Sequence, residues 1–321
     1  MPNTGLNSYI GLEQEVTWGV DPAGTPEWLR IVSESLRFRG DLSRGNRGLG
    51  FLTPQGVRAI KRRTEGDIVV DPLYRGYELL LLDFFGVVVT TGAGPYTHTF
   101  SPSLSRQVGL TARVQQDAQL SVVPGIKTQS LAGEMDGQEN LQLTFGVVGK
   151  VGTMSAASTT PTFQTAPPVL AVDPPSPGGI TYKLDTVEEC IQSGRFNAAL
   201  PHTNDRICAG DTTISEPVIN DYLTVEGEVV RDFEDDAYED LFQAFSEHVL
   251  EFNYKSAADI PAHVGNKWEL KIKFYAAQFL EAKPPTEGPG GIIETIPFRA
   301  NADSSGNIME VVMVTDRVAV P

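Results

Sequence analysis

Short runs of Val, Ile, Leu, Thr and Phe alternate with polar residues along most of the chain. Residues 108–114, 140–145, 269–274 and 309–314 place apolar side chains at nearly every second position, the pattern of half-buried strands. The 31 glycines and 22 prolines are spread between such runs and predict turns. The alternation therefore predicts a mostly β protein with antiparallel pairing.

Two segments have helical periodicity instead. Residues 77–85 form a short apolar run. Residues 235–248 carry apolar side chains at i, i+3, i+4 and i+7 counted from Tyr238, and acidic residues open the segment, where the helix dipole favours them. We therefore predict two short helices.

The two helical segments belong to an internal repeat. Residues 65–84 align with residues 226–245 at an offset of 161 without a gap, and eight of the twenty aligned pairs are identical. Chance similarity between two amphipathic strand–helix units is the alternative to duplication. If the repeat is real, its helix residues are core residues at matching places under two sheets: Tyr77, Leu80, Phe84, Tyr238, Leu241 and Phe245.

A proline-rich stretch separates the two copies. Residues 155–179 hold one charged residue, Asp173, and their composition resists both helix and strand pairing. We predict a first domain at 1–154, a linker at 155–179 and a second domain at 180–321. The charge divides unequally, with 14 Lys and Arg against 15 Asp and Glu in residues 1–160, and 11 against 26 in residues 161–321.

A basic segment lies within the near-neutral first half. Its glycine-rich core, residues 42–63, predicts a long loop or hairpin arm, whereas the equivalent stretch of the second half, residues 201–220, is acidic. A solvated loop, a contact with an acidic protein surface and nucleic-acid binding all remain open, although Phe51 is the only aromatic available for base stacking. The basic residues of this arm are Arg44, Arg47, Arg58, Lys61, Arg62 and Arg63.

The overall charge and the apolar runs argue against several functional classes. A net charge of −16 disfavours clamping of nucleic-acid phosphates and binding to an anionic membrane surface. The longest apolar stretch, residues 78–89, is too short to span a bilayer, and no secretory signal is visible.

Residues that carry catalytic or metal chemistry are sparse. The four histidines lack the spacing of a zinc site, and Cys190 and Cys208 lack C-x-x-C partners, so we expect two buried thiols whose pairing is left open. The acidic run 232–236 lacks the glycine and terminal Glu of a calcium loop. No phosphate-binding loop or nucleophile elbow occurs. We predict no enzyme, no cofactor and no metal site.

The beginning of the chain resembles a known family. Residues 9–20, YIGLEQEVTWGV, are similar to the G-x-E-x-x-x-x-G-T start of the tail tube proteins of long-tailed bacteriophages. Residues 32–36, residues 65–68 running into the first helix, and residues 94–100 follow in that family's order, and Gly149-Lys150 closes the first half.

This resemblance implies two tandem tail-tube-type β-sandwich or barrel domains, each with a short flanking helix. It implies a structural virion protein whose stacked rings form the tail tube, with inner strands closing a β-barrel around a channel for genome ejection. The expected partners are further copies of the chain, the tail terminator, the baseplate and the tape measure protein in the lumen, while DNA passes without sequence-specific binding. The expected location is the virion tail, after assembly in the host cytoplasm.

Two domains in one chain predict a trimeric ring with pseudo-sixfold symmetry, with a true hexamer as the alternative. Opposite charges on the basic and acidic arms would set polarity between stacked rings, which makes the basic arm an inter-ring contact. Another tail component of the same fold, such as a terminator, baseplate hub or decoration protein, is an alternative function. A carbohydrate-binding β-sandwich is a weaker alternative, because the three tryptophans are not clustered.

Overall fold

Antiparallel strands dominate the computed structural model, which describes residues 8–44, 57–117, 119–136, 141–155, 161, 163, 180–281 and 291–320. The elements of the first half are β1 (Ser8–Gln14), β2 (Glu27–Arg30), β3 (Ser33–Glu34), β4 (Arg37–Arg44), β5 (Val57–Val70), α1 (Glu78–Phe85), β6 (Gly86–Thr91), β7 (Tyr96–Pro102), β8 (Leu110–Gln116), β9 (Gln119–Asp136), β10 (Gln142–Gly149) and β11 (Thr153–Ser155). Those of the second half are β12 (Ile180–Leu184), β13 (Val187–Glu189), β14 (Ser193–Ala199), β15 (Thr224–Asp232), α2 (Ala237–Ala244), β16 (His248–Ile260), β17 (His263–Phe279), β18 (Ile293–Ala300) and β19 (Met309–Thr315). The prediction of a mostly β chain with two short helices is confirmed.

One continuous layer runs through both halves, and we call it the central sheet. Its order is β4-β5-β10-β9-β14-β15-β18-β17, with every neighbouring pair antiparallel. The halves meet where β9 pairs with β14, from Ser130 opposite Ala199 to Asp136 opposite Ser193. We call this pairing the internal joint. The sheet is open within the chain rather than closed into a barrel.

Each half adds a second layer over the central sheet. In the first half the order is β2-β1-β8-β9-β11, and in the second it is β13-β12-β16-β17-β19, so the long strands β9 and β17 belong to both layers. The β6–β7 hairpin of the first half continues the second-half layer, because β7 pairs with β19. Buried apolar side chains from both halves form one cluster between the layers.

The strand order of the second half follows that of the first. Gly66 of β5 lies opposite Val147 of β10, and Gly227 of β15 lies opposite Phe298 of β18. Outside this shared order stands the β6–β7 hairpin, which has no counterpart among the described elements of the second half. Most of the predicted linker lies outside the described residues. The ring of Phe163 within it packs 5.4 Å from that of Tyr9.

The two helices form near their predicted positions but differ in burial. Helix α1 ends at Gly86 with φ 91°, and all eight of its residues are buried. Helix α2 is shorter than predicted because Phe245 takes a left-handed conformation, φ 50°, and only Tyr238 of this helix is buried. Neither helix is long and apolar enough to cross a membrane, among the residues that the structure describes.

The repeat-core prediction therefore needs a correction at Phe245. Tyr77, Leu80, Phe84 and Tyr238 are buried and Leu241 is partly buried, but Phe245 is 75% exposed.

The two helices differ in burial because different segments follow them. Arg106, after the β6–β7 hairpin, donates a hydrogen bond to the carbonyl oxygen of Phe84, and the carbonyl oxygen of Ser105 lies close to Gly86. In the second half, α2 is followed by β16 after only three residues, and no equivalent segment covers Phe245 among the described residues.

The C-terminal segment ties the second half to the first. The Arg317 guanidinium lies 2.7 Å from a carboxylate oxygen of Glu27 and 3.4 Å from one of the fully buried Glu78. Arg75 forms a second ion pair with Asp316 at 2.9 Å. Because Glu27 and Glu78 stay buried only with a cation beside them, these contacts hold the two halves in one orientation.

A buried carboxyl group lies under the internal joint. The carboxylate of Asp83 in α1 accepts a hydrogen bond of 2.5 Å from the backbone N–H of Thr128 in β9. Burial raises the pKa of Asp83 to about 6, against the lowering effects of Lys127 and of that hydrogen bond. Lys127 is buried and pairs at 3.1 Å with Glu216.

The difference between the two helices predicts opposite results for equivalent substitutions. Phe84→Ala should lower the free energy of unfolding of the unassembled chain by about 3–5 kcal/mol, because it leaves a cavity in the core. Phe245→Ala should change it by less than about 1 kcal/mol, because the ring is exposed. Urea unfolding measures both, and equal losses at the two positions would contradict the difference in burial.

The raised pKa of Asp83 predicts a stability that depends on pH. The folded chain binds this proton more tightly than the unfolded chain, so the stabilisation is complete below pH 4 and is lost as the pH rises through about 6. That loss is about 3 kcal/mol, and Asp83→Asn should remove it. Unfolding free energies of both chains at pH 3.5 and 7.5 test this, and a difference between wild type and variant that is the same at both pH values would contradict it.

Candidate functional site

The central sheet has one face that the second layers leave uncovered, and we call it the open face. A shallow groove of about 490 Å³ lies on it, across the internal joint. Small residues such as Ala132 and Thr144 line the groove together with charged ones. The charged residues in its lining are Glu134, Arg195, Glu226 and Glu228.

Ion pairs between neighbouring strands neutralise much of the open face. Arg195 of β14 lies 2.8 Å from Glu228 of β15, and Arg299 of β18 lies 2.5 Å from Glu226 of β15. Exposed pairs of this kind stabilise the fold little, but they occupy the guanidinium groups that would otherwise hold phosphates.

The same pairing recurs in the first half. Arg39 of β4 and Arg63 of β5 both pair with Glu65, at 2.7 and 2.8 Å. The described part of this face therefore combines small side chains with charges that are largely paired.

The two ends of the central sheet have unpaired edges. At one end, β4 pairs with β5 alone among the described strands. At the other end, β16 covers β17 only as far as Ala277, and the N–H of Leu280 points back to the carbonyl oxygen of Pro297 at 2.9 Å. Residues 278–281 therefore have no strand on their outer side within the described chain. Such edges are templates for pairing with another chain.

The predicted basic arm is a hairpin formed by β4 and β5. Arg44 ends β4 opposite Val57, and Arg58 lies opposite Ser43. Lys61 has a positive φ of 49° where the register of the hairpin shifts. Arg47 lies outside the described residues, as do the side chains of Arg44 and Arg58.

Of the arm residues whose side chains the structure describes, Arg62 and Arg63 have side-chain partners in the described chain. The backbone of Arg62 is hydrogen-bonded to Thr212 at 2.8 Å and to Ile214 at 3.1 Å, and its guanidinium donates to the Thr212 hydroxyl at 3.2 Å. Arg63 pairs with Glu65. The acidic stretch of the second half thus lies against the base of the basic arm, a contact that the sequence did not predict.

The two cysteines are not part of a reactive or metal-binding group in the described residues. Cys190 and Cys208 are both free and exposed, which corrects the expectation of buried thiols. Within the described parts of the chain, no three His, Cys, Asp or Glu side chains are placed to hold a metal ion.

The comparisons with known proteins agree with this geometry. A search of the curated proteins found no match. The sequence model of the phage tail tube protein family matches residues 5–300, which is most of the 321-residue chain. The resemblance at the N-terminus is confirmed and extends into the second half. The open, β-rich sheet with its unpaired edges is therefore that of a structural protein of the virion tail, and the chain belongs to the phage tail tube protein family.

Proposed function

We propose that the chain polymerises into stacked rings that form the phage tail tube, through which the genome passes during ejection. The observation that carries this proposal is the central sheet, whose eight antiparallel strands end in two unpaired edges. Pairing of one chain's β4 with the next chain's β17 end would remove both edges, since a closed ring of sheets has none.

The proposal includes duplication of one tube domain within the chain, with a boundary in the linker 155–179. The shared strand order supports this. The strand register supports it as well. Ser33 lies opposite Val69 in the first half, and Ser193 lies opposite Val230 in the second, so both partners are shifted along the chain by almost the same number of residues. Three chains would then supply six domains, and the ring would be a trimer with pseudo-sixfold symmetry.

Duplication makes the internal joint a template for the contact between chains. At the internal joint, Ser130 of β9 lies opposite Ala199 of β14. Leu280 is the second-half equivalent of Ser130. Ser130 lies opposite Gly146 of β10 and Leu280 lies opposite Pro297 of β18, and these two partners are at equivalent positions of their strands.

Ala199 corresponds in the same way to Arg39, because Ala199 lies opposite Thr224 and Arg39 lies opposite Arg63, and these partners are 161 residues apart. Leu280 should therefore lie opposite Arg39 of the next chain. The Leu280 backbone already bonds to β18, so this is a non-hydrogen-bonded pair, whose Cα atoms are about 4.5 Å apart.

In this ring the open face lines the channel. Its paired charges and small side chains give DNA no array of free cations, so the genome slides without sequence-specific binding. The tape measure protein would occupy the same lumen before ejection, and the terminator and baseplate would bind the two ends of the tube. Assembly would take place in the host cytoplasm. A terminator, hub or decoration protein of the same fold would form rings that do not stack.

The proposed contact predicts a specific interchain disulfide. In a Cys190→Ser, Cys208→Ser background, Leu280→Cys with Arg39→Cys should cross-link assembled rings, because 4.5 Å lies within the range of disulfide Cα distances. Non-reducing electrophoresis should show a ladder that ends at three chains.

The matched control is Leu280→Cys with Phe38→Cys, which moves the thiol to the opposite face of β4 and should not cross-link. A ladder that continues to six chains would contradict the trimer. Equal cross-linking by both pairs, or by neither in assembled tubes, would contradict the proposed register.

The basic arm predicts a salt-sensitive contact between rings. Opposite charges on the two arms would attract across the ring interface, and salt screens exposed charges over about 8–10 Å, so stacking should weaken as salt rises. We choose Arg44→Glu, Arg47→Glu and Arg58→Glu, since reversal of Arg62 or Arg63 would break contacts inside the chain. This triple variant should form rings that do not stack, as seen by negative-stain microscopy.

A control variant, Lys183→Glu, reverses a charge on the outer layer of the second half. Lys183 of β12 forms no ion pair among the described residues, and the variant should stack as the wild type does. Tubes of normal length from the arm variant would mean that the arm is a solvated loop.

A further inference from the structure

Helix α2 bears an exposed apolar surface that helix α1 does not. Leu241 and Phe242 are partly buried, and Phe245 is 75% exposed at the end of the helix. The equivalent helix α1 has no exposed residue. We refer to Leu241, Phe242 and Phe245 as the α2 patch.

Phe245 has two features that are unfavourable in an isolated chain. Its φ of 50° is a left-handed conformation that a bulky side chain adopts only at a cost, and its ring lies mostly in water. Glycine would serve better at this position in an isolated chain, as Gly86 does at the end of α1. A phenylalanine here therefore indicates a contact that the described part of the chain does not contain.

The covering of α1 shows what such a contact would be. Part of the burial of the α1 region comes from the second half of the same chain, where Arg317 pairs with Glu78 and the ring of Trp268 lies 6.2 Å from that of Tyr74. Glu239, the counterpart of Glu78 in the repeat, accepts a hydrogen bond of 2.8 Å from Gln243 of its own helix and has no ion pair among the described residues.

The position of α2 places its patch at an edge of the sheet. The ring of Tyr238 packs 4.9 Å from that of Phe279, the last residue of β17. The helix therefore lies beside residues 278–281, the same edge that the proposed function assigns to the next chain. Helix α1 lies likewise beside β9, next to the internal joint, through the hydrogen bond from Thr128 to Asp83.

Charge on the two ends of the sheet is complementary. The exposed residues around α2 are strongly acidic, and they include Asp232, Glu234, Asp235, Asp236, Asp240 and Glu247. The opposite edge, β4, carries Arg37 and Arg39, both exposed. Arg39 also pairs with Glu65, and Asp41 is the acidic residue of this strand. Opposite charges on the two lateral ends would steer the acidic end of one chain to the basic end of another.

We propose that the α2 patch is a contact surface between chains, seated against the β4-bearing first half of a second copy. This rests on the proposed ring. On this proposal, the unequal charge of the two halves helps to close the ring as well as to stack it. Phe245 is then an anchor residue of the interface between chains.

Phe245→Gly separates assembly from folding. The variant should unfold at the same or a higher urea concentration than wild type, because it relieves the backbone conformation and loses only an exposed ring. Its critical concentration for ring assembly, measured by sedimentation velocity, should rise at least tenfold. Phe245→Tyr, which keeps the aromatic body, should assemble close to the wild-type concentration.

Val264→Ser is the matched control, because Val264 is 89% exposed near the start of β17 and lies outside the patch. It should leave assembly unchanged. If wild type and Phe245→Gly assemble at the same concentration, the patch is not an interface although the ring stands. If wild type itself remains a monomer at every concentration reached, both the ring and the patch contact are wrong.

Discussion

Unpaired backbone groups at the two ends of the central sheet are the constraint on which the rest of this molecule depends. Among the described strands, none pairs with the outer side of β4 or with the outer side of residues 278–281, and an unpaired edge of this kind invites pairing with another chain. The internal joint between β9 and β14 shows how the same backbone satisfies such an edge inside one chain. In the proposed ring, each edge pairs only with the opposite edge of the next chain, so register and charge at the two edges would determine its specificity.

The two halves share a strand order but have different surroundings. The first half keeps the β6–β7 hairpin, which continues the second-half layer through β19 and brings Arg106 over the end of α1. The second half lacks this hairpin among its described elements, and α2 stays partly open as a result. If the two halves arose by duplication, as we propose, an insertion in one copy covers a contact inside the chain and would leave the matching contact for a neighbouring chain.

Local features of this fold could be predicted from the sequence. Alternation located the long strands, and the repeat located both helices and the buried Phe84 and Tyr238. Pairings between distant strands, such as β7 with β19, could not be predicted, because alternation identifies a strand without identifying its neighbour. The predicted burial of Phe245 was wrong for another reason. Identity within a repeat predicts burial only when the segment that covers the residue is repeated as well. Asp83 is visible in the sequence as a charged residue between apolar ones. Its raised pKa could not be predicted, because it depends on the position of Asp83 under β9.

The central claim is that the edge of one chain continues the sheet of the next. A cryo-electron microscopy map of the assembled protein tests it most directly. The account predicts a closed inner barrel with eight strands from each of three chains per ring, in which β4 lies beside Leu280 of the neighbouring chain. A ring of six chains, or a map in which the outer side of β4 faces solvent, would contradict it.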